Sequence, residues 1–292
     1  MRTLRRGDSG PEVKRLQSLL GAHTDGIFGT QTEQSVEDFQ TSQGILADGI
    51  VGRVTWSYLE KNASFEEPTT RQDVVRVTGA KPYNGSGYDN FRLREDTALA
   101  LLRAKDVLEE HGGHLTSSGG LRGLHANVSA NRSATSMHYV GRAFDLFVYS
   151  AMVDPHKDPF VCTVDPEDDR KFIVWARCPT GYPMKLDGVT YEKADKSTGY
   201  PQVIVPTEGT FINLTELLQQ EGFEPISARR SFFRRGKKNN GGAEWWHFQY
   251  EEGLEKGVTT FGDELLKVYP TSKLKGTPPW RYRHYVFGVD WF

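Results

Sequence analysis

Apolar residues along the first sixty positions recur at helical spacing. Val13, Leu16, Leu19 and Leu20 form one stripe. Ser9 and Glu12 stand ahead of them at capping-box spacing, and Gly21 fits the C-terminal stop. Thr30 and Glu33 repeat the box before Val36 and Phe39, and Val54, Tyr58 and Leu59 give a third stripe with Trp56 nearby. Asp25-Gly26-Ile27-Phe28-Gly29 recurs as Asp48-Gly49-Ile50-Val51-Gly52, and each copy leads into a helical pattern. Asp-Gly starts a tight turn, because glycine tolerates positive φ and aspartate bonds its own backbone. The pattern predicts three short helices joined by two similar turns. Each stripe is too small to hold a helix alone, so the three should pack as one bundle.

Periodicity stops at Asn62-Ala63-Ser64-Phe65-Glu66-Glu67-Pro68, where polar residues and a proline give a linker composition. The expected division is residues 1–61, a linker at 62–71 and a second domain at 72–292. In that second domain Leu93 to His111 reads as the main helix, with Ala98, Leu101, Leu102 and Leu108 on its apolar face and Gly112-Gly113 at its end. His111 and His114 flank those glycines and read as ordinary histidines, since a broken helix cannot align them. Further on the pattern turns strand-like. Ala143 to Tyr149 is a mostly apolar run that carries Asp145, and Phe248-Gln249-Tyr250 continues a strand from His247.

Composition and charge narrow the function classes. The 292 residues are 37% hydrophobic and 25% charged, with a net charge of −2. No global field draws such a chain onto nucleic acid or an anionic membrane. No run of about 18 apolar residues is present, so no spanning helix is expected. The basic start, Met1 to Asp8, lacks the apolar stretch of a secretory signal. Cytoplasmic synthesis followed by release at lysis, or export by another route, is the expectation. Cys162 and Cys178 are too few for a disulfide framework and lack metal-finger spacing; they form either one bridge or two buried thiols. The chain is expected to act as a monomer.

The chemistry concentrates in two stretches, Ser136-Met137-His138-Tyr139-Val140-Gly141-Arg142-Ala143-Phe144-Asp145 and Glu244-Trp245-Trp246-His247. A carboxylate in an apolar strand is costly to bury unless it is paired, hydrogen-bonded or on a metal. Gly141 lets the chain turn, so that His138 and Asp145 reach one point. Two histidines and a carboxylate would leave a fourth coordination position for water, as catalytic zinc sites do. Glu244 would take a proton from that water. Period two sets a condition. Glu244 and His247 would point to opposite faces of one straight strand, so the backbone must bend between them.

The first segment resembles the peptidoglycan-binding type 1 domain, with the Gly7-Asp8-Ser9-Gly10 opening that runs to Val13, Leu16 and Gln17, and the two Asp-Gly turns. The later stretches resemble the M15 zinc peptidases, whose signature is Ser-x-His-x-x-Gly-x-Ala-x-Asp and then Glu-x-Trp-His. Ser136, His138, Gly141, Ala143, Asp145, Glu244, Trp246 and His247 match it. Ser117-Ser118-Gly119-Gly120-Leu121-Arg122 fits the family's upstream arginine segment. The resemblance implies an α+β fold: a small N-terminal three-helix bundle, then a hedgehog/DD-peptidase-like domain with an antiparallel sheet and flanking helices. It implies Zn²⁺ on His138, Asp145 and His247, Glu244 as general base, and Arg122 on a substrate carbonyl, carboxylate or developing oxyanion. It also implies a substrate hydrogen bond from Ser136, and peptidoglycan as partner.

The implied activity is hydrolysis of stem-peptide bonds by an endolysin-like lytic enzyme. A D-Ala-D-Ala carboxypeptidase and a non-catalytic zinc-containing murein binder stay open as alternatives. The two motifs stand further apart than is usual in the family, so residues from about 154 to 202 read as an insertion, either a flap over the cleft or a surface elaboration. The basic run Arg229 to Lys238, interleaved with aromatics, reads either as a contact for acidic stem peptides or as a solvated loop.

Overall fold

A computed structural model describes residues 3–62, 71–129, 132–191, 203–233, 240–255 and 259–281. The chain is α+β, as expected, and divides into two compact units. One gathers Met1–Arg71 with Gly123–Ser136 and Gly253–Phe292; the other gathers Gln72–Arg122 with Met137–Glu252. Of the expected linker, residues 63–70 lie outside the described residues.

The first unit opens with the three expected helices, α1 (Pro11–Leu19), α2 (Thr30–Ser42) and α3 (Arg53–Asn62). Leu4, Val13, Leu16, Phe28, Val36, Val51, Trp56 and Leu59 form their common core. Two details depart from the sequence pattern. The capping boxes are absent: the N-caps are Gly10 and Gly29, and neither helix start has a side-chain cap. Ser9 instead bridges Ile27 across a short antiparallel contact, and Thr30 is already helical. Val54 is 58% exposed, and Trp56 takes the core position beside Leu59.

The repeat runs deeper than its turns. The Gln17 side-chain amide donates to Asp25 Oδ1, the Ile27 carbonyl and Thr32 Oγ1 at 2.7, 3.1 and 3.0 Å, and its oxygen accepts from Gly26 N at 2.8 Å. Gln40 makes the same four bonds one repeat later, to Asp48, Ile50, Thr55 and Gly49, at 3.0, 2.9, 3.0 and 3.0 Å. Both glutamines are 1% exposed. Each buried amide is thereby satisfied by the turn that follows its helix. Later in this unit, α6 (Phe261–Val268) carries a complete capping box between Thr260 and Asp263.

The second unit begins with the antiparallel pair β1 (Val74–Thr78) and β2 (Asn90–Arg94), followed by α4 (Glu95–Glu110). Glu95 and Asp96 occupy the first turn of α4, where carboxylates complement the helix dipole. Gly112, at φ 76°, ends the expected helix. His111 follows its last turn, with Nδ1 3.2 Å from Thr180 Oγ1.

Strands β3 (Ala143–Asp145), β7 (Phe223–Pro225) and β8 (His247–Tyr250) make a sheet of order β3-β8-β7. Strand β3 is shorter than the apolar run, because Phe147 N turns to Thr116 Oγ1 and Ser150 N closes a turn on the Phe147 carbonyl. Phe144 sits fully buried in the core, its ring 5.4 Å from Phe223 and 5.8 Å from Phe248.

The described part of the expected insertion builds β4 (Phe160–Val164) and β5 (Phe172–Thr190). They join β6 (Val203–Asn213), which leads into α5 (Leu214–Gln220), in a sheet of order β4-β5-β6. Cys162 and Cys178 are both free and buried there. Cys162 pairs with Val174, four residues short of Cys178. That places the two on the order of 13 Å apart along the strand, beyond disulfide reach. No helix among the described residues is long and apolar enough to cross a membrane.

Candidate metal centre

Two strands and the turn ahead of them assemble the site. His138 lies in a 3₁₀ turn, Met137–Val140, and is 4% exposed. Gly141 follows at φ 69°, and Arg142 N bonds back to the Met137 carbonyl at 3.1 Å. This reversal sends the chain into β3 and delivers Asp145 to its end. On the neighbouring strand Asp145 faces His247 in register. The bond between these strands runs from Leu146 N to the Trp246 carbonyl at 2.9 Å, one step away. Asp145 spends its own backbone groups on the other side, its N on the Gly119 carbonyl at 2.9 Å and its O on Ser118 N at 2.8 Å. The Asp145–His247 pair is therefore a non-hydrogen-bonded pair, the type in which facing side chains lie closest.

One ligand atom from each of His138, Asp145 and His247 lies within 4.8 Å of the others. His138 Nε2 is 3.2 Å from His247 Nδ1 and 3.2 Å from Asp145 Oδ2, and His247 Nδ1 is 2.9 Å from Asp145 Oδ1. Tetrahedral zinc ligands at about 2.0–2.1 Å from the ion stand about 3.3 Å from one another, so these separations fit a shared ion. The tautomer fits as well. His138 Nδ1 donates to the Gly120 carbonyl at 2.7 Å, which leaves the Nε2 lone pair facing the cluster. Burial alone would raise the Asp145 carboxyl. When they are protonated, His138 and His247 outweigh it by charge and hydrogen bonding and hold the group far below the usual carboxylate range. Asp145 thus stays anionic, as a ligand must.

The backbone bends where the sequence requires it. Glu244 sits at φ 53°, in the left-handed region, and its carbonyl accepts from His247 N at 3.0 Å. That bond closes a turn across Trp245 and Trp246, and β8 starts only at His247. The Glu244 carboxylate is 9% exposed and accepts from Arg229 Nε at 2.5 Å. Arg122 N donates to the His138 carbonyl at 2.9 Å, and its guanidinium lies 5.5 Å from the Tyr139 ring centre. Ser136 is half-buried and immediately precedes the 3₁₀ turn.

Arg229 stands in the sequence as one member of a basic run. Nothing in the local pattern links it to Glu244, fifteen residues on. Arg234 to Lys238 of that run lie outside the described residues. The Gly120 carbonyl was equally hidden, because a backbone acceptor carries no side-chain signal.

Residues 9–59 match the family model described as "Putative peptidoglycan binding domain". An uncharacterised protein of the bpoA1 3′ region from Kitasatospora aureofaciens is 41% identical over 68 residues, 21% of this chain and 58% of its own. A zinc D-Ala-D-Ala carboxypeptidase from Streptomyces albus G is 26% identical over 156 residues, 49% of this chain and 60% of its own. A spore cortex-lytic enzyme from Bacillus cereus is 33% identical over 82 residues, 26% of this chain and 32% of its own. The chain thus spans less than two thirds of the length of each of these relatives. The matches bear out the resemblance to a wall-binding module joined to an M15-like peptidase.

Proposed function

We propose that this protein is a zinc metallopeptidase that cuts peptide bonds in the stem peptides of peptidoglycan, as an endolysin-like lytic enzyme. The observation that carries the reading is the convergence of His138, Asp145 and His247 at separations suited to one tetrahedral ion. A zinc ion held there would lower the pKa of a bound water to about 7 and polarise the scissile carbonyl.

The chain's own residues divide the remaining work. Glu244 accepts the proton of the attacking water and returns it to the leaving amine. Its ion pair with Arg229 keeps the buried carboxylate from standing as an uncompensated charge. Arg122 offers a planar fork of donors to a substrate carbonyl or carboxylate, or to the oxyanion as it develops. Its backbone bond to the His138 carbonyl ties that fork to the ligand turn. Ser136 supplies a hydrogen bond to substrate. The N-terminal module holds the enzyme on its polymeric substrate.

Glu244→Ala tests this assignment. The variant should retain zinc and release no new amino termini from purified wall; turnover near that of the parent would refute the role of Glu244. The name of the Streptomyces relative favours a second reading, trimming of a terminal D-Ala. Mass spectrometry of digested murein separates the two. A carboxypeptidase removes one D-Ala, whereas an endopeptidase frees larger peptide fragments.

A further inference from the structure

We propose that Tyr191, supplied by the segment inserted between the two motifs, is a positioning residue that braces the Glu244–His247 turn through Trp245. The proposal rests on the reading of that turn as part of a zinc peptidase site. The turn needs a brace. Glu244 holds a left-handed backbone at φ 53° without being glycine, a conformation that persists only where the surroundings dictate it. The bond from His247 N to the Glu244 carbonyl closes the turn but does not fix where it sits.

Trp245 lies inside the turn and is 2% exposed. Its Nε1 donates to the Tyr191 hydroxyl at 2.8 Å. Burial pushes the Tyr191 phenol far up, so the hydroxyl stays neutral and available as an acceptor. Tyr191 is anchored in turn. It follows the last residue of β5, and its N donates to the Met152 carbonyl at 2.8 Å. Met152 is itself buried and left-handed, at φ 61°. Phe160 of β4 flanks the same indole, its ring centre 6.5 Å away.

Phe160 of β4 and the residue that follows β5 therefore grip one side chain, and that side chain sits between the proposed base and a proposed ligand. The extra length between the motifs has a task at the site: it fixes the indole on which the turn is built. Loss of a partner bonded directly to a metal ligand costs about 10–100-fold in metal affinity or activity; Tyr191 acts one step further out, through Trp245, which sets the expectation at the lower end of that range.

The test uses the full chain with Tyr191→Phe, which removes the acceptor oxygen and keeps the ring. Zinc affinity is measured by chelator competition, and kcat and KM on purified murein fragments. Zinc affinity should fall roughly tenfold. The kcat should fall by about tenfold with KM within about twofold, because geometry rather than substrate binding is lost. Trp245→Phe removes the same bond from the other side, and serves also should Tyr191→Phe fail to fold. In that background the Tyr191 change should have no further effect. The brace is overturned if either single variant matches the parent in both zinc affinity and kcat, or if the two effects multiply independently. A parent protein that binds zinc but cleaves nothing would instead sink the peptidase reading, with the brace still decided by zinc affinity.

Discussion

Replacing Gly141 with alanine should damage both the fold and the metal site, for reasons that can be separated. Gly141 lies at φ 69°, where an L side chain costs roughly 1–2 kcal/mol. A β-carbon there would also stand 2.6 Å from the backbone nitrogen of Arg94 and 3.3 Å from the Arg94 Cβ and the Leu93 carbonyl carbon. That nitrogen cannot swing aside like the end of a flexible side chain, since it donates to the Gly141 carbonyl itself at 3.0 Å. Forcing a group into such a contact adds about 1–3 kcal/mol. The total, about 2–5 kcal/mol, is a large share of the 5–15 kcal/mol typical of a folded domain. The turn also sets the path from His138 to Asp145, so zinc affinity should drop with stability. Urea denaturation and chelator competition read the two losses. Gly141→Asn separates the causes, because asparagine tolerates left-handed backbone but still carries a β-carbon. The contact with Arg94 predicts that asparagine rescues little. An asparagine variant as stable as the parent would refute the steric argument and leave only the backbone term.

Two other perturbations test different parts of the molecule. Gln17→Ala and Gln40→Ala should each cost about 2–3 kcal/mol in urea denaturation, since each leaves a buried glycine N–H and a threonine hydroxyl without their amide partner; if either change is silent, the repeated clamp does not hold the bundle. Asp96 gives a pH signature: burial would raise its carboxyl, but hydrogen bonds and charge from Arg94 prevail and hold it below 3.8. A depressed carboxylate stabilises fully above its unfolded value and loses that contribution as pH falls through the folded one. The stability gap between the parent and Asp96→Asn should therefore be widest near pH 6 and close towards pH 2, and a gap unchanged over that range would contradict the assignment.

The parts legible in the sequence were those set by short-range rules. Stripes at helical spacing placed α1 to α4, and the Asp-Gly repeat placed the turns between the first three. The same rules misled at helix starts, where Gly10 and Gly29 displaced Ser9 and Thr30 because a bridge to Ile27 and an early helical turn used those residues otherwise. Contacts made across long stretches of chain left no local trace: Arg229 on Glu244, the Gly120 carbonyl on His138 and Tyr191 on Trp245. At Glu244 the rules conflicted with one another. A strand from Glu244 to His247 would have split the two residues between opposite faces, and yet both belong to one signature. The left-handed turn resolves the conflict by ending strand geometry at His247. Such a departure from local preference carries a cost that surrounding contacts must offset, and here those contacts come from Arg229 and Tyr191, far apart in sequence. It follows that the residues shaping this turn cannot be found by extending the motif along the chain. They are found by asking what keeps a non-glycine residue left-handed beside a buried indole.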